Sequence, residues 1–199
     1  MLAQFRGEVI VISGPSGAGK TSIARRIVAE LPQVAFSVSA TTRSPRPGEV
    51  DGVDYFFCTP GRFDRMIEQG ELLEWATYAG HRYGTPQAAV LRQVEQGIDV
   101  ILVIEIQGAA IIKAKMPSAV RIFILPPGPA ELQARIDRRG GIEPADLAVR
   151  LCQARVELAR ARDYDYVVVN DQLEEAVTKV TAIMTAERCR VTRQVGLLG

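Results

Sequence analysis

The sequence is poor in the residues that build disulfide frameworks and metal sites. Its 199 residues include three cysteines and one histidine. Cys58, Cys152 and Cys189 are scattered and form no Cys-x-x-Cys pair, which argues against a disulfide framework and against a zinc site. The single histidine, His81, excludes a metal site made of several histidines. These absences fit a reducing cytosol, so we expect a cytoplasmic protein.

Long apolar runs and an excess of one charge are also missing. The longest apolar stretch, about residues 100–112, is interrupted by Glu105 and Gln107, so no segment is expected to span a membrane. The net charge of +1 gives no overall field that would attract nucleic acid or a membrane surface. The sequence leaves the oligomeric state open. A composition of 47% apolar and 24% charged residues is typical of an ordinary globular domain.

Short apolar runs alternate with helical patterns along the chain. The apolar runs are residues 8–12, 35–39, 99–104, 120–125 and 165–169. Continuous apolar runs are typical of strands that are buried on both faces. The helical patterns are residues 21–31, 86–96, 145–162 and 173–193. This alternation predicts an α/β fold in which a five-stranded parallel sheet lies between helices on both faces.

Two stretches break the alternation and predict additions to this core. From about residue 41 to residue 86, short segments surround a small helix near residues 62–69, which indicates an inserted subdomain with a small, mainly antiparallel sheet. From about residue 135 to residue 146, paired glycines, a proline and charges indicate a mobile lid. The core would then consist of the three remaining segments, about residues 1–40, 87–134 and 147–199.

A phosphate-binding loop is the first motif that carries chemistry. It follows a predicted strand and opens a predicted helix, as the pattern GxxxxGK[ST] requires. The motif consists of Gly14, Pro15, Ser16, Gly17, Ala18, Gly19, Lys20 and Thr21. Its glycines let successive backbone N–H groups point into one concavity, next to the positive end of a helix. Lys20 is expected to reach the β- and γ-phosphates of a nucleoside triphosphate, and the Thr21 hydroxyl is expected to bind Mg²⁺.

Two arginines in a proline-rich stretch suggest a second phosphate site. Arg43 and Arg46 are three positions apart, and prolines flank Arg46 on both sides. Guanidinium groups on a stiffened backbone suit a dianion such as phosphate. The hydroxyls of Tyr55 and Tyr83 would add donors. The alternative for the two arginines is a solvated loop without a ligand.

Two carboxylates suggest recognition of a purine. Glu105 follows a buried strand, where ligands bind open α/β sheets, and Glu74 lies beside the single tryptophan. Carboxylates accept hydrogen bonds from the N1–H and N2–H₂ groups of guanine, whereas adenine presents a lone pair at N1. Ser39 and Thr85 would complete the contacts to the base edge. The alternatives are a surface acid on an edge strand for Glu74 and an acid of a metal shell for Glu105.

At these residues the chain resembles the guanylate kinase family. The resemblance runs through GPSGAGKT, SVSATTRSPRPGEVDGVDYFF, LLEWATYAGHRYGTP, IEIQGA, IFILPP and YDYVVVND, so that it covers nearly the whole chain. It implies a P-loop NTPase core of three layers with a GMP-binding subdomain and a lid. It also implies the reaction ATP + GMP = ADP + GDP with Mg²⁺.

The resemblance assigns roles to individual residues. The guanine would be contacted by Ser39, Glu74, Thr85 and Glu105. The phosphate of GMP would be bound by Arg43, Arg46, Tyr55 and Tyr83. The transferred phosphoryl group would be met by Lys20, Arg43, Arg135, Arg139 and Arg150. Asn170 would lie near the adenine of ATP, beside the P-loop residues.

The chain departs from the family at one position of the predicted site. The family often has an acid two residues before Glu105, and Val103 stands there in this sequence. We therefore expect Glu105 alone to serve both the Mg²⁺ shell and the guanine. Two other functions stay open at this stage: a guanylate-kinase-like binding module without catalysis, and a P-loop kinase that acts on a phosphorylated sugar.

Overall fold

The computed structural model describes residues 6–128, 131, 132, 134 and 156–193. The predicted lid, about residues 135–146, lies outside the described residues, as does most of the helix predicted over residues 145–162. Of that helix, residues 156–159 are helical, and Arg160–Asp163 form a 3₁₀ turn.

A five-stranded parallel sheet forms the centre of the molecule, as the apolar runs predicted. Its strands are β1 (Val9–Ser13), β2 (Val34–Phe36), β7 (Asp99–Val103), β8 (Val120–Leu125) and β9 (Tyr166–Val169). They lie in the order β2-β7-β1-β8-β9, and every neighbouring pair is parallel. The second strand ends earlier than predicted, because the backbone N–H of Ser37 makes a last bond to Ile101 and the chain then leaves the sheet.

Helices cover both faces of this sheet. They are α1 (Lys20–Glu30), α3 (Gln87–Glu95), α4 (Ile106–Lys115) and α5 (Leu173–Arg188). Because side chains alternate along a strand, Ile10 and Ile12 of β1 share a core with α1 and α5. Val9 and Val11 point the other way and share a core with α3 and α4. This arrangement confirms the predicted three layers.

The apolar stretch of residues 100–112 proved to be two elements. Strand β7 ends at Val103, and α4 begins at Ile106 with Glu105 as its N-terminal flanking residue. The sequence pattern placed Glu105 at the end of a strand of residues 99–104 and did not predict α4. A buried strand and a buried helix share an apolar composition, so the boundary between them is not visible in the pattern.

A second, mainly antiparallel sheet is built from the stretch that interrupted the pattern. Its strands are β3 (Ala40–Thr41), β4 (Phe56–Phe57), β5 (Leu72–Tyr78) and β6 (His81–Pro86), in the order β4-β3-β6-β5. Only β3 and β4 pair in parallel. Helix α2 (Pro60–Glu68) packs Phe63 and Met66 against this sheet. It begins two residues earlier than predicted, because Thr59 caps it and Pro60 suits its first position.

In the part of the chain that the structure describes, none of the helices combines the length and apolarity that crossing a bilayer requires.

The C-terminal helix ends at Arg188 instead of Arg193, and a 3₁₀ turn (Val191–Arg193) follows it. Ion pairs attach this end of the chain to the edge of the sheet where β1 and β7 begin. Arg188 Nε lies 2.8 Å from Asp99 Oδ2, and Arg193 Nη1 lies 2.8 Å from Glu8 Oε2. The Asp99 side chain is fully buried and also accepts a hydrogen bond from the backbone N–H of Glu8. Asp99 is therefore a structural residue at the edge opposite to Glu105.

We expect Glu8 to make stability depend on pH. Burial raises the pKa of the Glu8 carboxyl from 4.5 to about 7, although Arg193 opposes the rise. The folded chain thus binds a proton more tightly than the unfolded chain, and the stability from this protonation is lost as the pH rises through about 7. Glu8→Gln removes the titration. Its free energy of unfolding, measured in urea relative to the wild type, should increase between about pH 5 and about pH 8. A constant or decreasing difference would contradict this assignment.

Candidate active site

The loop between β1 and α1 has the conformation that its glycines allow. Gly14 and Gly19 have φ values of 140° and 88°. A Cβ on Gly14 would lie 2.2 Å from the carbonyl oxygen of Ile124, and one on Gly19 would lie 2.2 Å from Nδ2 of Asn170. Both positions therefore need glycine for conformation and for space. The loop delivers the chain into α1, so that the N-terminal N–H groups of the helix face an open cleft.

The side chains of the loop support a phosphate site. Lys20 Nζ lies 2.5 Å from the carbonyl oxygen of Gly14 and 3.0 Å from that of Pro15, so the ammonium group is held over the loop. Thr21 is exposed in the first turn of α1 and lines the cleft. A lysine and a hydroxyl next to exposed helical N–H groups suit a nucleotide phosphate chain.

A cavity of about 730 Å³ joins this loop to the second sheet. The P-loop contributes Ser16, Gly17, Gly19, Lys20 and Thr21. The second sheet and the segments leading into it contribute Ser39, Arg43, Arg46, Tyr55, Glu74 and Tyr83. Glu105 lines the cavity from the edge of the central sheet, together with Val103. Residues that the sequence analysis assigned to two phosphate sites and a base site thus face one space.

Glu74 is a buried carboxylate, with only 3% of its surface exposed. It lies opposite Thr85 in the pairing of β5 with β6, and the Thr85 hydroxyl donates a 2.6 Å hydrogen bond to its Oε1. The backbone of α4 lies directly against it, since a Cβ on Gly108 would be 2.3 Å from Oε2. Burial raises the pKa of Glu74, while Thr85 and Lys115 oppose the rise. The alternative of a surface acid on an edge strand is therefore wrong, although β5 is an edge strand.

Arg43, which lines the same cavity, is packed beside aromatic rings. Its side chain is 10% exposed, and its guanidinium carbon lies 5.3 Å from the centre of the Tyr55 ring. The rings of Tyr55 and Tyr83 meet edge to face with their centres 6.0 Å apart. The alternative of a solvated loop is therefore wrong for Arg43. Arg46 is exposed and still lines the cavity.

Asn170 and Thr85 do not line the cavity themselves but form hydrogen bonds to residues of the site, Asn170 to Ala18 and Thr85 to Glu74. The side chain of Asn170 is buried, and its Nδ2 donates a 2.7 Å hydrogen bond to the carbonyl oxygen of Ala18 in the P-loop. The structure thus places Asn170 against the phosphate-binding loop. Arg135, Arg139 and Arg150 lie outside the described residues.

Some residues at the cavity were missed by the sequence analysis. Tyr78, Ala79 and His81 line it from the turn between β5 and β6. Ala79 and Gly80 both have positive φ, of 47° and 78°, as a tight two-residue hairpin turn requires. The glycine between these two segments was a usable signal for a turn, but nothing local indicated that the turn lines the same cavity as the P-loop.

Comparison with known proteins agrees with this geometry. The family model for guanylate kinase matches residues 6–187. A guanylate kinase of Desulfitobacterium hafniense (strain Y51) is 50% identical over 193 residues, which are 97% of this chain and 96% of the relative. A guanylate kinase of Thermotoga maritima is 48% identical over 189 residues, which are 95% of this chain and 91% of the relative.

The chain belongs to the guanylate kinase family. The crystal structure of guanylate kinase from Anaplasma phagocytophilum agrees with it at a TM-score of 0.81 and 32% identity, covering 96% of this chain and 90% of that one. Guanylate kinase membership confirms the resemblance found in the sequence, the P-loop kinase fold and the enzymatic, phosphotransferase character of the chain. It also means that the cavity between the P-loop and the second sheet is the candidate active site of a guanylate kinase.

We expect the hydrogen bond from the Thr85 hydroxyl to the buried Glu74 carboxylate to stabilise the fold. Thr85→Val keeps the shape but removes the donor, so the free energy of unfolding at neutral pH should fall by roughly 1–3 kcal/mol. Thr77→Val, at an exposed position of β5, is the matched control and should change it by less than about 0.5 kcal/mol. Urea unfolding of both variants measures the difference. Equal effects of the two substitutions would show that the hydrogen bond contributes nothing.

Proposed function

We propose that this chain transfers the γ-phosphoryl group of ATP to GMP, forming ADP and GDP, in the cavity between the P-loop and the second sheet. The main observation in support of this proposal is the buried Glu74 carboxylate. It faces the same cavity as the P-loop, and its burial at 3% exposure is costly unless a ligand or neighbour uses it. An acceptor with hydrogen-bond donors on a flat edge, such as guanine, satisfies this requirement.

Guanine recognition would come from the two carboxylates and two hydroxyls. Glu74 and Glu105 would accept hydrogen bonds from N1–H and N2–H₂ of the base, with Ser39 completing the edge. Thr85 would act through Glu74, whose Oε1 it already holds at 2.6 Å. Adenine would bring a lone pair against a carboxylate and leave buried polar groups unpaired. Such a mismatch discriminates strongly between the two bases.

The phosphate of GMP would bind at the basic end of the cavity. Arg43 and Arg46 would neutralise it, and the hydroxyls of Tyr55 and Tyr83 would donate to its oxygens. Arg43 needs little further ordering, because it is already packed against the Tyr55 ring. The inserted segment, about residues 41–86, would serve as the GMP-binding subdomain of the enzyme.

ATP would bind along the P-loop. The backbone N–H groups of residues 14–21 would surround its phosphates, with Lys20 at the β- and γ-phosphates. Asn170 would lie toward the adenine while its amide keeps the loop in place through Ala18. Arg135 and Arg139 of a lid of about residues 135–146, and Arg150 just after it, would approach the transferred phosphoryl group from the lid side.

A magnesium ion fits the residues at the start of α1. In the described ranges, no group of three or more His, Cys, Asp and Glu side chains forms a metal cluster. The Thr21 hydroxyl lines the cavity and would bind Mg²⁺ together with phosphate oxygens and waters, an arrangement that this ion favours. Bound there, Mg²⁺ would neutralise charge on the β- and γ-phosphates. Glu105, which lines the cavity two residues after Val103, would contribute to the water shell of the ion.

The transfer itself would need positioning and charge neutralisation rather than a general base. The acceptor is a phosphate oxygen that is already ionised at neutral pH, so no side chain has to remove a proton. Lys20 and the arginines would stabilise charge on the transferred group and hold donor and acceptor in line. The complete P-loop weighs against a binding module without catalysis. The buried Glu74–Thr85 pair weighs against a sugar phosphate, which has no purine edge.

Glu74→Gln tests the proposed role of Glu74 in base recognition. The amide oxygen of glutamine can take the Thr85 hydrogen bond, which leaves an NH₂ group facing the donors of guanine. We expect the Kd of GMP to rise by about 10- to 100-fold, while the Kd of a non-hydrolysable ATP analogue changes by less than about 2-fold. Isothermal titration of both ligands provides the measurement.

Glu71→Gln is the matched control, because Glu71 precedes the same strand and pairs with Arg62 outside the cavity. It should leave both affinities unchanged. Equal weakening of GMP and the ATP analogue by Glu74→Gln, or no weakening of GMP, would remove Glu74 from base recognition.

A further inference from the structure

A tight turn carries an acid into the proposed phosphate site. Residues Arg46, Pro47, Gly48 and Glu49 form it, with the N–H of Glu49 bonded to the carbonyl oxygen of Arg46 at 3.0 Å. Proline at the second position and glycine with φ of +85° at the third are the residues that a type II turn needs. The backbone position of Glu49 is therefore fixed relative to Arg46.

The Glu49 carboxylate is fixed by the same turn. It reaches back to the start of the turn, where its Oε2 accepts a 2.7 Å hydrogen bond from the backbone N–H of Arg46. Two hydrogen bonds in opposite directions thus join Arg46 and Glu49, one through the backbone and one through the carboxylate. The position of the carboxylate is therefore set by the turn itself, independently of any arginine side chain.

Both terminal nitrogens of Arg43 donate hydrogen bonds to this carboxylate. Its Nη2 lies 2.8 Å from Oε1 of Glu49, and its Nη1 lies 2.9 Å from Oε2. Nη1 also donates to the carbonyl oxygen of Ser44 at 2.6 Å. The side chains of Arg43 and Glu49 are only 10% and 19% exposed, so this pair is better shielded from water than a surface ion pair. The hydrogen bond from Arg43 is the largest cause that lowers the pKa of Glu49.

We infer that Glu49 is a positioning residue, which holds the guanidinium of Arg43 by its terminal edge so that the remaining N–H groups meet the phosphate of GMP. This inference rests on the proposed function, since it takes the Arg43 end of the cavity as the phosphate site. The bonds to Glu49 and Ser44 engage three of the five N–H groups of Arg43, and a hydrogen bond with the Tyr83 hydroxyl engages one more, so a donor is left for a ligand. Arg43 is ordered before the ligand arrives, which lowers the cost of binding.

The same contact has a second explanation with the opposite consequence. An acid on Arg43 would be a placeholder that occupies the phosphate position and has to leave when GMP binds. The turn favours positioning instead, because the carboxylate would have to break its bond to the N–H of Arg46 in order to move away. The two explanations predict opposite signs: removing the charge weakens GMP binding if Glu49 positions Arg43, and tightens it if Glu49 is a placeholder.

The test compares GMP with guanosine, which has the same base but no phosphate. Titration calorimetry gives both Kd values for the wild type, for Glu49→Gln and for the control Glu71→Gln. In Glu49→Gln an amide NH₂ would face the N–H groups of Arg43, so the paired hydrogen bonds to Arg43 are lost while the side-chain length is kept. We expect the preference for GMP over guanosine to fall by about 10-fold or more, with guanosine affinity within about 2-fold of the wild type. Glu71→Gln should keep the full preference.

A double-mutant cycle shows whether Glu49 acts through Arg43. In the background of Arg43→Ala, adding Glu49→Gln should change GMP affinity by less than about 2-fold, because the group that Glu49 positions is gone. An additive loss in the double variant would overturn the inference, since Glu49 would then act independently of Arg43.

Three results of the ligand comparison would also overturn the inference. Tighter GMP binding in Glu49→Gln would establish the placeholder. Equal weakening of GMP and guanosine would mean that Glu49 only maintains the fold of the segment, and unchanged affinities for both ligands would mean that it does neither. A wild type that itself shows no preference for GMP over guanosine would overturn the proposed phosphate site together with the inference. If the wild type does prefer GMP over guanosine, a negative result for Glu49→Gln overturns only the role of Glu49 and leaves the proposed function standing.

Discussion

The parallel pairing of β1 with β7 is the constraint on which the rest of the site depends. In this register Ile12 lies opposite Val103, and the Ser13 hydroxyl donates a 2.7 Å hydrogen bond to the carbonyl oxygen of Ile104. The P-loop and Glu105 therefore leave the sheet at the same edge, where ligands bind open α/β sheets. A shift of the register by one residue would turn the apolar side chains of β1 toward the wrong layers and separate the two halves of the site.

The second sheet completes the site by holding charged groups in advance of any ligand. Oε1 of Glu74 accepts a hydrogen bond from Thr85, and Arg43 is paired with Glu49, with each pair largely shielded from solvent. Unpaired, either charge would be expensive to bury. Glu74 and Arg43 thus have different local partners, so that in the proposed function base and phosphate would be recognised by separate groups of residues. A phosphotransferase that relies on positioning gains from such prior order.

The sequence predicted the features that local pattern determines and missed those that need distant partners. The P-loop and the five strands were found, because glycine spacing and apolar runs are properties of short segments. Helix α4 was missed because its apolar residues continue those of β7. The bond from Asn170 to Ala18 joins positions 152 residues apart, so no local signal exists for it. Glu49 was overlooked although it lies in the same turn as Arg46, because a pattern shows an acid but not which cation it contacts.

Acceptor specificity is the most direct test of the claim that this cavity phosphorylates GMP. ADP formation should be followed with Mg·ATP and the wild-type chain in three parallel reactions, containing GMP, AMP or no acceptor. We expect fast ADP formation with GMP alone, and GDP in equal amount. ADP formation that is as fast with AMP or without an acceptor would contradict the role of the carboxylates in selecting guanine. No turnover from protein that still binds GMP would contradict catalysis at this site, with Val103 as the first residue to exchange for an acid.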